Sequence, residues 1–167
     1  MSIVCCRVTE DKIEMASDSI LVRGWTQNKS NDKFAKMSEV NGMIIGGVGF
    51  AEETSLFQIF CETRKPGAAT ESSLVNFISE FADWKNSKME RYKIENEYII
   101  VVENKAFYIQ SFFVKEIMAY EAIGAGMDFA LAALYFGKSV PEAVSAACEL
   151  SVYCEKPINF IERKWGK

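Results

Sequence analysis

The chain has 167 residues, 49% of them hydrophobic, and its 19 basic and 23 acidic side chains give a formal net charge of −4. That length suits one domain, 1–167, with a sizeable core, and the mixed charge leaves no basic stripe to follow a nucleic-acid backbone. No apolar run approaches the ~20 residues needed to span a bilayer, and the polar start lacks the regions of a signal peptide, so no membrane partner and a cytoplasmic location are expected.

In chain order, residues 3–8 and 12–17 are short apolar or β-branched runs around Thr9-Glu10-Asp11, which predicts a hairpin. Residues 20–36 are polar and carry Gly24, Asn28, Asn31 and Asp32; then Met43–Val48 reads as a buried strand closed by Gly49. From Ala51 to Thr63, Leu56, Phe57, Ile59 and Phe60 share one side of a helical wheel, and Pro66-Gly67 ends the helix. Thr70 is an N-cap candidate for a second helix, in which Leu74, Phe77, Ile78, Phe81 and Trp84 keep helical spacing. Residues 98–103 and 106–109 flank an Asn104-Lys105 turn, and the aromatic run through Val114 continues the sheet. Gly124-Ala125-Gly126 precedes an apolar helix from Met127 to Phe136. Ser139 and Glu142 form a capping box, with proline in the first turn, for a helix to about Cys154, and Ile158–Ile161 supplies a last strand. The order is strands, two helices, strands, two helices, strand, which suits sheets covered by helical layers.

The chain contains no histidine, so a hydroxyl nucleophile must find another base. Ser2 follows the initiator methionine, and a side chain this small permits removal of Met1, which would free the Ser2 α-amine. With a reference pKa of roughly 7.7–8.0, that amine is partly neutral near neutrality and can take the proton from its own hydroxyl. The five cysteines, Cys5, Cys6, Cys61, Cys148 and Cys154, include no C-x-x-C, so they call for no metal and no cofactor and read as buried apolar residues of a reducing compartment.

Four stretches carry a resemblance over nearly the whole chain: I-V-C-C-R with A-S-D-S; N-D-K-F; I-I-G-G-V-G-F-A-E-E-T-S-L-F-Q-I-F; and A-I-G-A-G-M-D-F-A-L-A-A-L. They resemble the proteasome β-subunit superfamily, most of all the HslV-type peptidase subunit of bacteria. In that family an N-terminal threonine is followed sixteen positions later by an aspartate, as Ser2 is by Asp18. The family lysine comes sixteen further on; Lys33 comes fifteen after Asp18, which a one-residue loop deletion accounts for.

The resemblance implies an α+β fold, the four-layer αββα sandwich of the N-terminal nucleophile (Ntn) hydrolases. It implies that Ser2 attacks the scissile carbonyl with its own amine as base, that Lys33 tunes the amine and steadies the oxyanion, and that Asp18 holds Lys33. Gly49 matches the oxyanion-hole glycine. Ala51 matches the neck of a substrate-binding recess, with Val48 and Phe50 beside it. Ala125 stands where the family has a serine that bonds the amine, and Glu149 takes the place of a supporting aspartate. The implied activity is that of a serine variant of a threonine-type endopeptidase acting on unfolded polypeptide inside a closed homo-oligomeric ring or stacked rings. An AAA+ ATPase unfoldase would be a separate partner, since G-x-x-x-x-G-K-[ST] is absent.

Blander alternatives stand beside this reading. Asp18 and Lys33 can be an ordinary surface pair. Gly46 and Gly47 can simply allow a tight strand, and Gly124 and Gly126 a close helix start. Cys5 or Cys6 can be a nucleophile only if four residues are removed. A non-catalytic ring subunit retains Met1 or carries a blocked Ser2, and a small-molecule amidase of the same chemistry works without a ring.

Overall fold

In the computed structural model, which describes residues 1–28 and 35–165, the elements follow the expected order with additions. They are β1 (Val4–Val8), β2 (Lys12–Ser17), β3 (Val22–Arg23), β4 (Thr26–Gln27), β5 (Met37–Val40), β6 (Met43–Val48), α1 (Ala51–Thr63), α2 (Glu71–Met89), β7 (Glu97–Val102), β8 (Lys105–Gln110), β9 (Phe113–Ile117), β10 (Tyr120–Ile123), α3 (Met127–Tyr135), α4 (Val140–Leu150) and β11 (Asn159–Lys164). A four-stranded sheet in the order β10-β1-β2-β11 faces a five-stranded sheet in the order β5-β6-β7-β8-β9. Every pairing in both is antiparallel.

Alternation along β1 shows how the layers are built. Val4 and Cys6 point into an apolar layer between the sheets with Met15, Ile44, Ile99 and Val101, while Ile3 and Cys5 point the other way, onto Ala130, Leu134, Val140 and Val144 of α3 and α4. Helices α1 and α2 cover the outer face of the five-stranded sheet through Phe57, Phe60, Phe77, Phe81 and Tyr98. Their rings interlock, with centroids 4.4 Å apart for Phe57–Tyr98 and 4.8 Å for Phe57–Phe81. Burial of each such ring stabilises the fold by ~1.5–3 kcal/mol. The stack is helices, sheet, sheet, helices, the αββα sandwich that the resemblance implies. Two sheets buried on both faces explain why β6 and, apart from Arg7 and Glu97, β1 and β7 read as apolar runs.

The helix caps are as expected. The Thr70 hydroxyl accepts the Ser73 N–H at 3.3 Å, and Ser139 and Glu142 complete a reciprocal capping box. Three details differ. Helix α4 ends at Leu150, not near Cys154, because Ser151 turns to extended backbone as its N–H closes on the Ala147 carbonyl. The β7–β8 turn is Glu103-Asn104, with Glu103 at φ 56°, so Lys105 already belongs to β8. Strands β3, β4, β5 and β10 were not expected: each is short, and β5 and β10 lie at sheet edges where a strand needs few apolar side chains.

Candidate functional site

The register of the first hairpin sets the site. Val4 pairs with Ser17, so one step outward Ile3 lies opposite Asp18, and the Asp18 N–H donates to the Ile3 carbonyl at 3.2 Å. The Asp18 side chain turns back on the same place: its Oδ1 accepts the N–H of the Ser2–Ile3 peptide at 2.9 Å. Its Oδ2 accepts the N–H groups of Ile20 at 3.2 Å and Glu155 at 3.1 Å. A carboxylate with no exposure at all is tolerated because every oxygen is bonded. The sixteen-residue step from Ser2 to Asp18 is therefore the length of this hairpin.

Among the described residues, the cation that Asp18 holds is Lys36. Its Nζ lies 2.5 Å from Asp18 Oδ1, and its side chain is 2% exposed. Burial pulls the ammonium below the ordinary lysine value, and the Asp18 charge pulls the other way. Its backbone is pinned as well: the Lys36 carbonyl accepts the Gly47 N–H at 2.9 Å, just where β5 begins to pair with β6. The sequence reading assigned this role to Lys33, which lies outside the described residues. It passed over Lys36 because β5, which carries Lys36 into place, went unrecognised.

Gly49 follows β6 with φ +129°, a conformation closed to most residues, and a Cβ here would collide with the Asn96 amide. The next residue, Phe50, is the N-cap of α1, whose positive dipole end therefore opens beside Gly49. A cavity of about 380 Å³ joins these parts; Met1, Ser2, Ile20, Lys36, Gly49 and Ala51 are among its walls. A second cavity of about 400 Å³ shares Met1 and Gly49 with it and has Val48, Asn96 and Gly124 in its walls. Ser2 is 4% exposed, whereas Met1 is 53% exposed and stands at both openings.

The Gly124-Ala125-Gly126 loop holds the other side of Ser2. The Gly126 N–H donates to the Ser2 carbonyl at 3.3 Å. Gly124, at φ +100°, passes so close that a Cβ would overlap that carbonyl oxygen. The Ser2–Ile3 peptide is thus gripped from its N–H side by Asp18 and from its carbonyl side by this loop.

Of the remaining candidates, Phe50 and Ala51 line the first cavity and Val48 the second. Ala125 is exposed, at the crest of the glycine loop. Glu149 is not brought to Ser2. It lies exposed near the end of α4 and pairs with Lys156 at 2.6 Å, which holds its carboxyl below the usual range. Cys5 and Cys6 are fully buried on opposite faces of β1, and burial pushes both thiols up, so neither is set up as a nucleophile. Among the described residues no cluster of three or more His, Cys, Asp or Glu is gathered as a metal ion would need, and no helix is long and apolar enough to cross a membrane. Like Lys36, Asn96, 1% exposed behind Gly49, is absent from the sequence-based candidates.

No family model matches the sequence, and no curated protein does. Among solved structures, the chain is similar to Thiobacillus denitrificans BPH in complex with epoxomicin, with a TM-score of 0.84 at 15% identity over 99% of this chain and 100% of that one. A second structure of Thiobacillus denitrificans BPH gives a TM-score of 0.81 at 18% identity, covering 97% of each chain. Eukaryotic HslV from Trypanosoma brucei gives 0.73 at 17% identity, over 98% of this chain and 99% of that one. The fold is that of the HslV and proteasome-type subunits, over essentially the whole chain.

Proposed function

We propose that this chain is a single peptidase domain, 1–167, working as a proteasome-like N-terminal nucleophile endopeptidase with Ser2 in place of threonine. The observation that carries this reading is the buried Asp18 carboxylate, which binds the Ser2–Ile3 peptide N–H and the Lys36 ammonium through one oxygen, behind the cavity that Ser2, Lys36 and Gly49 line. Once Met1 is removed, the Ser2 Oγ attacks a peptide carbonyl and its proton passes to the Ser2 α-amine, directly or through a water. The carbonyl oxygen takes the electron pair, and the Gly49 N–H, the α1 N-terminus and Lys36 stabilise it. As the intermediate collapses, the C–N bond breaks, the α-amine gives its proton to the departing amine, and an ester on Ser2 remains. Water, deprotonated by the same amine, hydrolyses the ester. The charged Lys36 disfavours protonation of the amine beside it, which keeps the base available. Serine lacks the methyl group that restricts the threonine rotamer, so turnover is slower than a threonine would give.

The assembly proposed is a homo-oligomeric ring. Phe129, Tyr135, Phe136, Leu150, Val152 and Tyr153 are large apolar side chains left exposed on and after α3 and α4, and exposed apolar patches are where subunits associate. Helix α2, in contrast, turns its apolar stripe onto α1 and the sheet. Unfolded polypeptide as substrate, an ATPase unfoldase as partner and a cytoplasmic location complete the proposal.

The non-catalytic alternative applies to a chain that keeps Met1: Ser2 then has no α-amine to act as base, and Met1 stays in the walls of both cavities. A single experiment separates the two. Intact mass of the purified protein, then turnover of fluorogenic peptides and epoxomicin labelling followed by peptide mapping, are expected to give a chain starting at Ser2, hydrolysis, and an adduct on Ser2 absent from Ser2→Ala. A chain that starts at Ser2, assembles, and neither cleaves nor labels would reject the peptidase.

A further inference from the structure

We propose that Asn96 is the positioning residue of the oxyanion site, aiming the Gly49 N–H from behind through a buried network that runs to Lys85. This rests on the peptidase reading above and adds to it a residue that never meets substrate.

Helix α1 begins at Phe50, whose side chain cannot cap it. Asn96 supplies the missing cap from another element with both ends of its amide. Oδ1 accepts the Phe50 N–H at 2.6 Å, and Nδ2 donates to the Phe50 carbonyl at 2.8 Å and to the Thr54 hydroxyl at 3.0 Å. The Gly49–Phe50 peptide plane is thereby fixed. The Cα of Gly49 rests against the same amide, with no room for a side chain. With the peptide after Gly49 held and its Cα backed by Asn96, rotation about the glycine is blocked at the one residue whose lack of a Cβ would otherwise leave it free.

Asn96 itself is held by a buried carboxylate. Glu53, in the first turn of α1, accepts the Asn96 N–H at 2.9 Å, the Tyr98 hydroxyl at 3.1 Å and the Lys85 ammonium at 2.7 Å. Lys85, with no exposure, also donates to the Lys93 carbonyl. Two charges taken out of water give little net stability compared with apolar side chains of the same size. What this pair does give is a fixed frame: α1, α2 and the segment before β7 meet at one carboxylate, and Asn96 carries that frame to Gly49. Electrostatic catalysis requires such a frame, since donors must already point to where charge develops, and a misplacement of 1 Å can cost ~10²-fold.

The test compares Asn96→Ala and the isosteric Asn96→Asp with the wild type in peptide turnover, thermal unfolding and assembly state. The aspartate keeps an acceptor for the Phe50 N–H but loses both Nδ2 donations and faces the Phe50 carbonyl with a like partial charge. The expected result is a kcat reduced ~30- to 100-fold in both, KM within about twofold, and folded, assembled protein. Separately, Glu53→Gln with Lys85→Met, which removes the charges and keeps the volume, is expected to lower kcat less than Asn96→Ala does. A wild type that does not cleave peptides would reject the underlying peptidase reading, not this step. With an active wild type, folded Asn96 variants with kcat within threefold of it, a loss confined to KM, or variants that all unfold would assign Asn96 to packing alone and overturn the proposal.

Discussion

Replacing Lys36 tests the site most directly, because the side chain belongs to no apolar cluster and acts through charge. In Lys36→Met the length and apolar stem are kept and only the ammonium is lost. Asp18 then has no cation, but it retains the N–H donors of Ile3, Ile20 and Glu155. Removing one partner of a buried pair costs ~3–5 kcal/mol, and these backbone donors place Lys36→Met at the low end, about 3 kcal/mol. At roughly 2–4 °C per kcal/mol for a chain of this size, the melting midpoint drops by about 6–12 °C, which leaves folded protein at 25 °C. Loss of an oxyanion-type donor reduces turnover ~10²- to 10³-fold. The assay is fluorogenic-peptide turnover at 25 °C, with assembly matched by light scattering and with Lys33→Ala as the comparison. A folded Lys36→Met with turnover within threefold of wild type would refute the reasoning, and so would a Lys33→Ala that loses activity by two decades while Lys36→Met does not.

The pH profile has two limbs with known signs. The α-amine acts only when neutral, so kcat/KM rises with pH through a pKa at or below roughly 7.7–8.0; Lys36 acts only when charged, and because burial draws it below the ordinary lysine value, activity falls again at high pH earlier than a solvent-exposed lysine would allow. An initial-rate series that keeps climbing to the ordinary lysine range would contradict this. Gly124→Ala places a methyl group on the Ser2 carbonyl and demands an unfavourable φ, so activity is expected to fall by at least tenfold, with lowered thermal stability; unchanged kinetics would mean that the loop does not hold Ser2. Glu149→Ala is expected to leave turnover within twofold, since the carboxylate is exposed and paired only with Lys156; a larger loss in matched assemblies would return it to the site.

Most of the fold was legible because its layers impose simple patterns. Two-sided burial makes β6 and most of β1 and β7 apolar, with Arg7 and Glu97 near the strand ends as exceptions, and one-sided burial gives α1 and α2 their stripes. The elements that escaped notice have weak patterns for a physical reason. Residues 37–40 read Met-Ser-Glu-Val, with Met37 buried between the sheets and Val40 leaning on the helical side, so neither face repeats long enough to register as a strand. β10 carries Glu121 amid Tyr120, Ala122 and Ile123, too short an apolar run to stand out, and it forms by pairing with β1. Local sequence cannot announce a strand whose stability lies in its neighbour.

The same distinction separates the candidate site residues by how the sequence points to them. Ser2 and Asp18 sit on the two arms of one hairpin, so their separation in sequence is a geometric quantity set by strand register; changing it by one residue would turn every buried side chain of β1 to the wrong face. The path from Asp18 to the lysine crosses residues 19–35, which are irregular apart from the β3–β4 hairpin where described, and a loop changes length at little cost. Residue counting is therefore a weaker guide there than register: Met37 pairs with Gly46, which sets Lys36 beside Gly47, and Lys36 reaches Asp18. Asn96 lies beyond either argument, because its importance comes from two groups met only in three dimensions, the Phe50 backbone and the Glu53 carboxylate. What could have exposed it is Glu53 itself, an acidic residue on the apolar side of α1, where a buried charge demands partners from other elements.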